Sequence, residues 1–269
     1  MRVKAQHYAI VAVDVEKFGT RDNSAAFLLR KHLYSLVETA LDDAGIDRST
    51  VPDPADRGDG FFQLLPGDVD KLDLTGPFVA LLNNALRDHA ATSNALGALR
   101  IRVVLHSGDV GWDGRGWVGE ELNTACRLLD IEPLRTTLAQ ARRAGLALAV
   151  TEDWYRRVVC HGTAEAEREA FREVPFDAKE IRGASAWIRV PGYDVPPGIP
   201  PMRRAEPPDP PEPALASPAP SGGAAGVPGG KTGTSGGLTV GDVGQFVHGD
   251  QYVKGGLTIR MPGRGGGGQ

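Results

Sequence analysis

Gly58-Asp59-Gly60 stands directly ahead of the apolar run Phe61-Phe62-Gln63-Leu64-Leu65, and this junction restricts the fold more than any other stretch of the chain. A glycine-flanked aspartate before a strand-forming run reads as a tight β-turn feeding a buried strand. Taken alone, it marks only a turn. Tyr8-Ala9-Ile10-Val11-Ala12-Val13 is a second such run, ending in Asp14-Val15-Glu16-Lys17-Phe18-Gly19. Short aliphatic runs of this kind suit strands covered on both faces. An acid at the end of a buried strand needs a partner, a hydrogen bond or a metal. Side by side, the two strands bring Asp14 and Asp59 close together. Two neighbouring carboxylates repel, and a divalent cation resolves the conflict.

The rest of the N-terminal portion alternates helices and strands. After an N-cap at Asn23-Ser24, Leu29, Leu33, Leu36, Val37, Ala40 and Leu41 repeat at helical spacing, and Gly45 ends the helix. A second amphipathic helix covers about 72–90, regular from Pro77 onward. Leu99 to His106 reads as a strand that gives way at Ser107 to a turn-rich loop over 112–119. The next helix opens on Glu120-Glu121 and holds Asn123 and Arg127 four residues apart on one face, with Leu122, Cys126 and Leu129 turned inward. Leu146 to Val150 is a further strand, Glu152-Asp153 starts a short helix, and a last strand ends at Val190. The order β-α-β-β-α-β predicts a ferredoxin-like α+β palm sandwich, with helices on one face of a mainly antiparallel sheet.

Composition divides the chain. An apolar content of 41% over 269 residues is enough for a packed core. From about Pro191, however, Pro, Gly, Ala and Ser dominate, as in Pro207-Pro208-Asp209-Pro210-Pro211. We therefore expect a folded domain over 5–190, a disordered linker over 191–235 and a distinct segment over 236–262. In that last segment Gly236-Gly237-Leu238-Thr239-Val240 recurs as Gly255-Gly256-Leu257-Thr258-Ile259. Short β-prone segments punctuated by glycine can stack in register as cross-β, so the tail is a candidate for recruiting a partner with a matching segment. A net charge of -4 gives no general attraction to nucleic acid or anionic membrane. No apolar run of membrane-spanning length and no signal peptide stand out. The two cysteines, Cys126 and Cys160, form no motif and fit a reducing compartment. These features predict a cytoplasmic protein.

Asp14-Val15-Glu16-Lys17-Phe18, Gly58-Asp59-Gly60, His106-Ser107-Gly108, and Gly119 leading to Leu122-Asn123-Thr124-Ala125-Cys126-Arg127-Leu128 form an ordered set. Over roughly 5–190 this set resembles the motif series of the class III nucleotidyl cyclases. The resemblance implies a head-to-tail homodimer with composite sites, each taking a nucleoside triphosphate to a 3',5'-cyclic mononucleotide and pyrophosphate. It implies two divalent cations, Mg2+ or Mn2+, held by Asp14 and Asp59 with the Val15 carbonyl. Asn123 would position the ribose and Arg127 would stabilise the transition state, both from the partner subunit. Lys179 matches loosely the family lysine that grips the terminal phosphates.

The departures from the family matter as much. Its adenine-reading lysine and aspartate fall here on Ala55 and Gly116, neither of which has a side chain able to hydrogen-bond a base. Arg57 or Trp117 are left as candidates for that task. Pyrimidine-specific cyclases of bacterial anti-phage systems also lack the purine-reading pair, so CMP and UMP products stay open, as does a role in bacterial defence. The lost readout equally motivates a second reading, a catalytically inactive nucleotide-sensing or dimerisation module that signals through its tail. A diguanylate-cyclase-like palm lacks its Gly-Gly-Asp/Glu-Glu-Phe signature here. For His106 a structural hydrogen bond to the hairpin is expected, and for Trp112 and Trp117 packing within the loop.

Overall fold

A computed structural model describes residues 4–94, 97–162, 166–178 and 181–200, together with strand residues 252–253 and 257–258. The chain divides into two compact units, Met1–Asp209 and Pro210–Gln269.

The first unit is built on one mixed sheet. Its central strand β1 (Ala5–Val15) pairs antiparallel with β3 (Gly60–Pro66) on one side and with β4 (Ile101–Trp112) on the other. The short β2 (Ala55–Asp56) completes a hairpin with β3, and β5 (Trp117–Val118) folds back on β4. Beyond β4 lie β6 (Leu146–Thr151), β8 (Ile181–Arg189) and β7 (Arg172–Ala178), giving the order β2-β3-β1-β4-β6-β8-β7. Only the β4–β6 pair is parallel among these. The expected α+β class and its mainly antiparallel sheet are what the chain builds.

Helices cover both faces of this sheet, not one. On one face α1 (Asn23–Asp43) and α3 (Pro77–Thr92) bury Leu29, Leu33, Val37, Phe78, Leu82 and Leu86 against the odd-numbered residues of β1 and β4. On the other, α4 (Glu120–Leu128) and α5 (Glu132–Gln140) pack on Ile10, Ala12 and Val104. The reason is in β1 itself: residues 9 to 13 are all fully buried, so apolar area on both faces must be covered.

Several boundaries differ from those expected. Asp22, not Asn23, caps α1, its carboxylate accepting the Ala25 N–H at 2.8 Å. β4 does not end at His106 but runs on through Trp112, because β1 starts as early as Ala5 and partners it as far as Gly111, while β5 partners Trp112. Residues 191–200, placed in the linker by composition, lie against the domain: Ile199 joins the α4–α5 core and the Tyr193 hydroxyl accepts the Arg143 N–H. Lys179 lies outside the described residues. So do 201–251 and most of the C-terminal motif, whose described part is an antiparallel pair of β9 (Tyr252–Val253) with β10 (Leu257–Thr258). No helix among the described residues is long and apolar enough to cross a membrane.

Candidate active site

β1 ends at Asp14-Val15, and the register sets Asp14 opposite Gly60 of β3 and opposite Arg102 of β4. Asp14 follows Ile10 and Ala12 at two-residue spacing, so it belongs to the sheet face on which α4 and α5 pack. Arg102 meets it with a fork: Nε donates to one carboxylate oxygen at 2.7 Å and Nη2 to the other at 2.5 Å. Both side chains are only 7% exposed, so this is a buried ion pair. Burial pushes the Asp14 carboxyl above the usual range against the pull of Arg102, and the charges of Asp59 and Asp130 push it further up. Asp59, in the turn beside the end of β1, and Asp130, two residues beyond α4, are thus both within electrostatic reach of Asp14.

The turn that presents Asp59 is tied down on two sides. Toward the sheet, the Val15 N–H donates to the Asp59 carbonyl at 3.0 Å. Gly60 allows that approach, since a Cβ there would stand 2.0 Å from the Val13 carbonyl oxygen. Toward α1, the Asp56 carboxylate accepts from the Gly58 N–H at 2.6 Å, the Tyr34 hydroxyl at 3.4 Å and the Arg30 guanidinium. Arg30 also donates to the Gly58 carbonyl, and the Tyr34 ring stacks on Phe61 at 4.3 Å. Asp59 itself is exposed at the tip.

These donors suit a hard divalent cation. Mg2+ is usually held by one or two carboxylates with water and substrate phosphates, not by an all-protein cage. Among the described residues no three His, Cys, Asp or Glu side chains gather into such a cage, and Asp14 with Asp59 supplies the smaller set. A carboxylate offers about four lone-pair sites, and the Arg102 fork occupies two of those on Asp14.

The helix α4 supplies the second group. Leu122, Ala125, Leu128 and Leu129 are buried, so Leu122 and Leu129 turn inward as expected while Cys126 is left half-buried beside Asn123 and Arg127. These three line a cleft of about 550 Å³ with Asp130, with Phe176 of β7 and with Arg57 from the hairpin. Neither Asp14 nor Asp59 lines it. Burial pushes the Cys126 thiol up, which keeps it protonated and unreactive. Ala55 and Gly116 sit away from the cleft; Gly116 is held in its turn by Asp113, and a Cβ there would meet nothing within 4 Å. Trp117 packs edge-on against both Tyr8 and Trp112, which accounts for the tryptophans as loop packing.

His106 anchors α4, not the hairpin. Its Nε2 lies 2.5 Å from the Glu121 carboxylate and its Nδ1 2.8 Å from the Thr151 hydroxyl. A carboxylate only accepts, so Nε2 carries the proton and Nδ1 accepts from Thr151. Glu121 reaches the ring directly over Gly108, where any Cβ would collide with it. Burial lowers the His106 pKa, while Glu121 and Asp153 favour the charged form and His7 opposes it. The unfolded chain therefore takes the proton first. Stability is expected to be insensitive to this group above about pH 6.5 and to fall as the pH drops below that value toward the lowered folded pKa. Urea unfolding of wild type and His106→Gln across pH 5 to 7.5 checks this: the difference in their stabilities should narrow at the acid end.

Sequence reasoning missed Arg102, Arg30, Glu121 and Asp130. Arg102 had a signal: it is a charged residue in a strand between Ile101 and Val103, and the observed register sets it opposite Asp14. The other three depend on tertiary approach.

No protein-family model matches the chain, and no curated protein matches it. Among solved structures it is similar to an adenylate/guanylate cyclase/hydrolase from Silicibacter pomeroyi, at 20% identity over 71% of this chain and 99% of that one, with a TM-score of 0.49. The guanylyl cyclase Cya2 matches at 15% identity over 71% and 94%, TM-score 0.48. The adenylyl cyclase CyaB from P. aeruginosa matches at 13% identity over 71% and 96%, TM-score 0.46.

Proposed function

We propose that the chain is a nucleotidyl cyclase that acts as a homodimer. The observation that carries this reading is that Asp14, on the sheet face covered by α4, lies beside the turn that carries Asp59, while α4 presents Asn123 and Arg127 in a separate cleft. One chain holds two half-sites that do not coincide. A second copy, turned head to tail, would set the carboxylates of one subunit against the cleft of the other.

In the composite site a nucleoside triphosphate lies with its phosphates toward Arg127 and Arg57, which line one cleft. The ribose 3'-hydroxyl gives up its proton to water as O3' attacks the α-phosphorus in line, a new P–O bond closes the ring, the bond to the β-phosphate oxygen breaks, and pyrophosphate leaves. Asn123 orients the ribose, so that O3' is held near its target. Arg127 meets the charge that grows on the α-phosphoryl oxygens, the role for which a preset guanidinium is suited. Asp14, Asp59 and the Val15 carbonyl would hold Mg2+ or Mn2+, which when bound would supply charge neutralisation and a lowered pKa for the 3'-hydroxyl.

The test is direct. Purified protein is incubated with Mn2+ or Mg2+ and each of the four ribonucleoside triphosphates, and cyclic mononucleotide and pyrophosphate are measured. The expected result is product from at least one nucleotide, absent in Asp59→Asn. Binding of a nucleotide with no turnover would instead favour the sensing module, a reading motivated by the missing hydrogen-bonding side chains at Ala55 and Gly116.

A further inference from the structure

Arg102 fills an unusual place for a cation: inside the sheet, in register with an acid that is itself expected to hold a metal. Its guanidinium holds both oxygens of Asp14, and neither group has water enough around it to soften the interaction. Asp59, exposed at the turn, makes no comparable ion pair among the described residues. A buried carboxylate left without a counter-ion is strongly unfavourable, so the fork balances the charge of Asp14 and fixes its orientation when no metal is bound. The same fork opposes the metal. A divalent ion placed against Asp14 meets a positive charge a few ångströms away in a medium of low effective dielectric, where repulsion is far stronger than in water.

We propose that Arg102 is a positioning residue that competes with the divalent cation for Asp14, serving as its counter-ion in the empty protein and giving way when the cation enters between Asp14 and Asp59. The proposal rests on the cation-binding reading given above. It makes the metal affinity of the site a difference between two positive groups seeking one carboxylate. It also makes the fork geometry matter, because a lysine would keep the charge but lose the two-pronged grip.

Mn2+ binding to the full chain without nucleotide, followed at pH 8 by the loss of the free-ion electron paramagnetic signal, tests the competition. Arg102→Met, which removes a positive charge beside the cation, is expected to bind Mn2+ at least about 10-fold more tightly than wild type, and Arg102→Lys to fall between them. Adding Asp59→Asn to the Met variant should erase the gain. Equal or weaker binding in both Arg102 variants overturns the competition while leaving the cation site standing; no binding in any protein overturns both. Should the Met variant fail to fold, the wild type still answers. The Arg102 Nε–H nuclear resonance, identified by its absence in Arg102→Lys, should exchange slowly in the metal-free protein, then shift and exchange faster in saturating Mg2+. A resonance unmoved by Mg2+ would overturn the proposal.

Discussion

Asp59→Asn and Arg127→Ala proteins, each nearly inactive alone, are expected to regain activity when mixed. Asp59 stands at the hairpin tip, whereas Arg127 lines a cleft that neither Asp14 nor Asp59 touches. If catalysis joins the carboxylates of one copy to the cleft of another, each single variant damages every site in its homodimer. A loss of about 1,000-fold in kcat is the size expected for removing such an arginine from phosphoryl transfer. In a mixed dimer one of the two sites collects both defects and the other collects neither. Equal mixing with free exchange makes half the dimers mixed, so about a quarter of wild-type activity should return. The assay is cyclic nucleotide formation before and after mixing, with subunit exchange checked by a tag on one variant. An unrestored mixture would mean that a single chain completes its own site.

The positions of Asp14, Asp59, Asn123 and Arg127 on their elements were legible before any coordinates because they rest on short-range patterns. The run 8–13, the Gly58-Asp59-Gly60 turn and the Asn123–Arg127 spacing each follow from strand alternation, turn chemistry or helical period. What could not be read was whatever depends on which element lies next to which. The fork of Arg102 requires β4 to flank β1 in one register out of several. The grip of Arg30 on Asp56 and the Gly58 carbonyl joins residues 26 to 28 positions apart through the docking of α1 on the hairpin. His106 was placed by its strand but paired with the wrong element, because its partner Glu121 arrives only when α4 packs over Gly108. The helix α5 and the packed segment 191–200 escaped for a related reason: Pro133 falls in the first turn of α5, where proline is favourable, and Leu134, Leu138 and Ile199 show their buried area only once they meet the sheet.

Gly60→Ala should do the greatest structural damage of any single methyl added to the hairpin. The new Cβ would lie 2.0 Å from the Val13 carbonyl oxygen, 2.7 Å from the Asp14 Cα and 2.9 Å from the Val13 carbonyl carbon. All three are backbone atoms of the central strand, held on the far side by the full ladder to β4, so neither partner can yield by turning a side chain. The β3 end must lift from β1 where Asp14 and Asp59 meet, at a cost of about 3 kcal/mol or more, the upper range for overpacking. Two neighbouring glycines separate this effect from a general loss of flexibility. Gly58 has φ of +94° in open space, so Gly58→Ala should cost only about 1–2 kcal/mol of backbone strain. Gly116→Ala meets nothing and needs no left-handed backbone, so its change should stay within about 0.5 kcal/mol. Urea unfolding of the three variants gives the order, and Mn2+ binding gives the functional consequence. Gly60→Ala alone should lose the cation, because it alone separates the two acids. If it unfolds with wild-type stability, the close approach of hairpin and central strand on which the carboxylate pair depends is not present in solution.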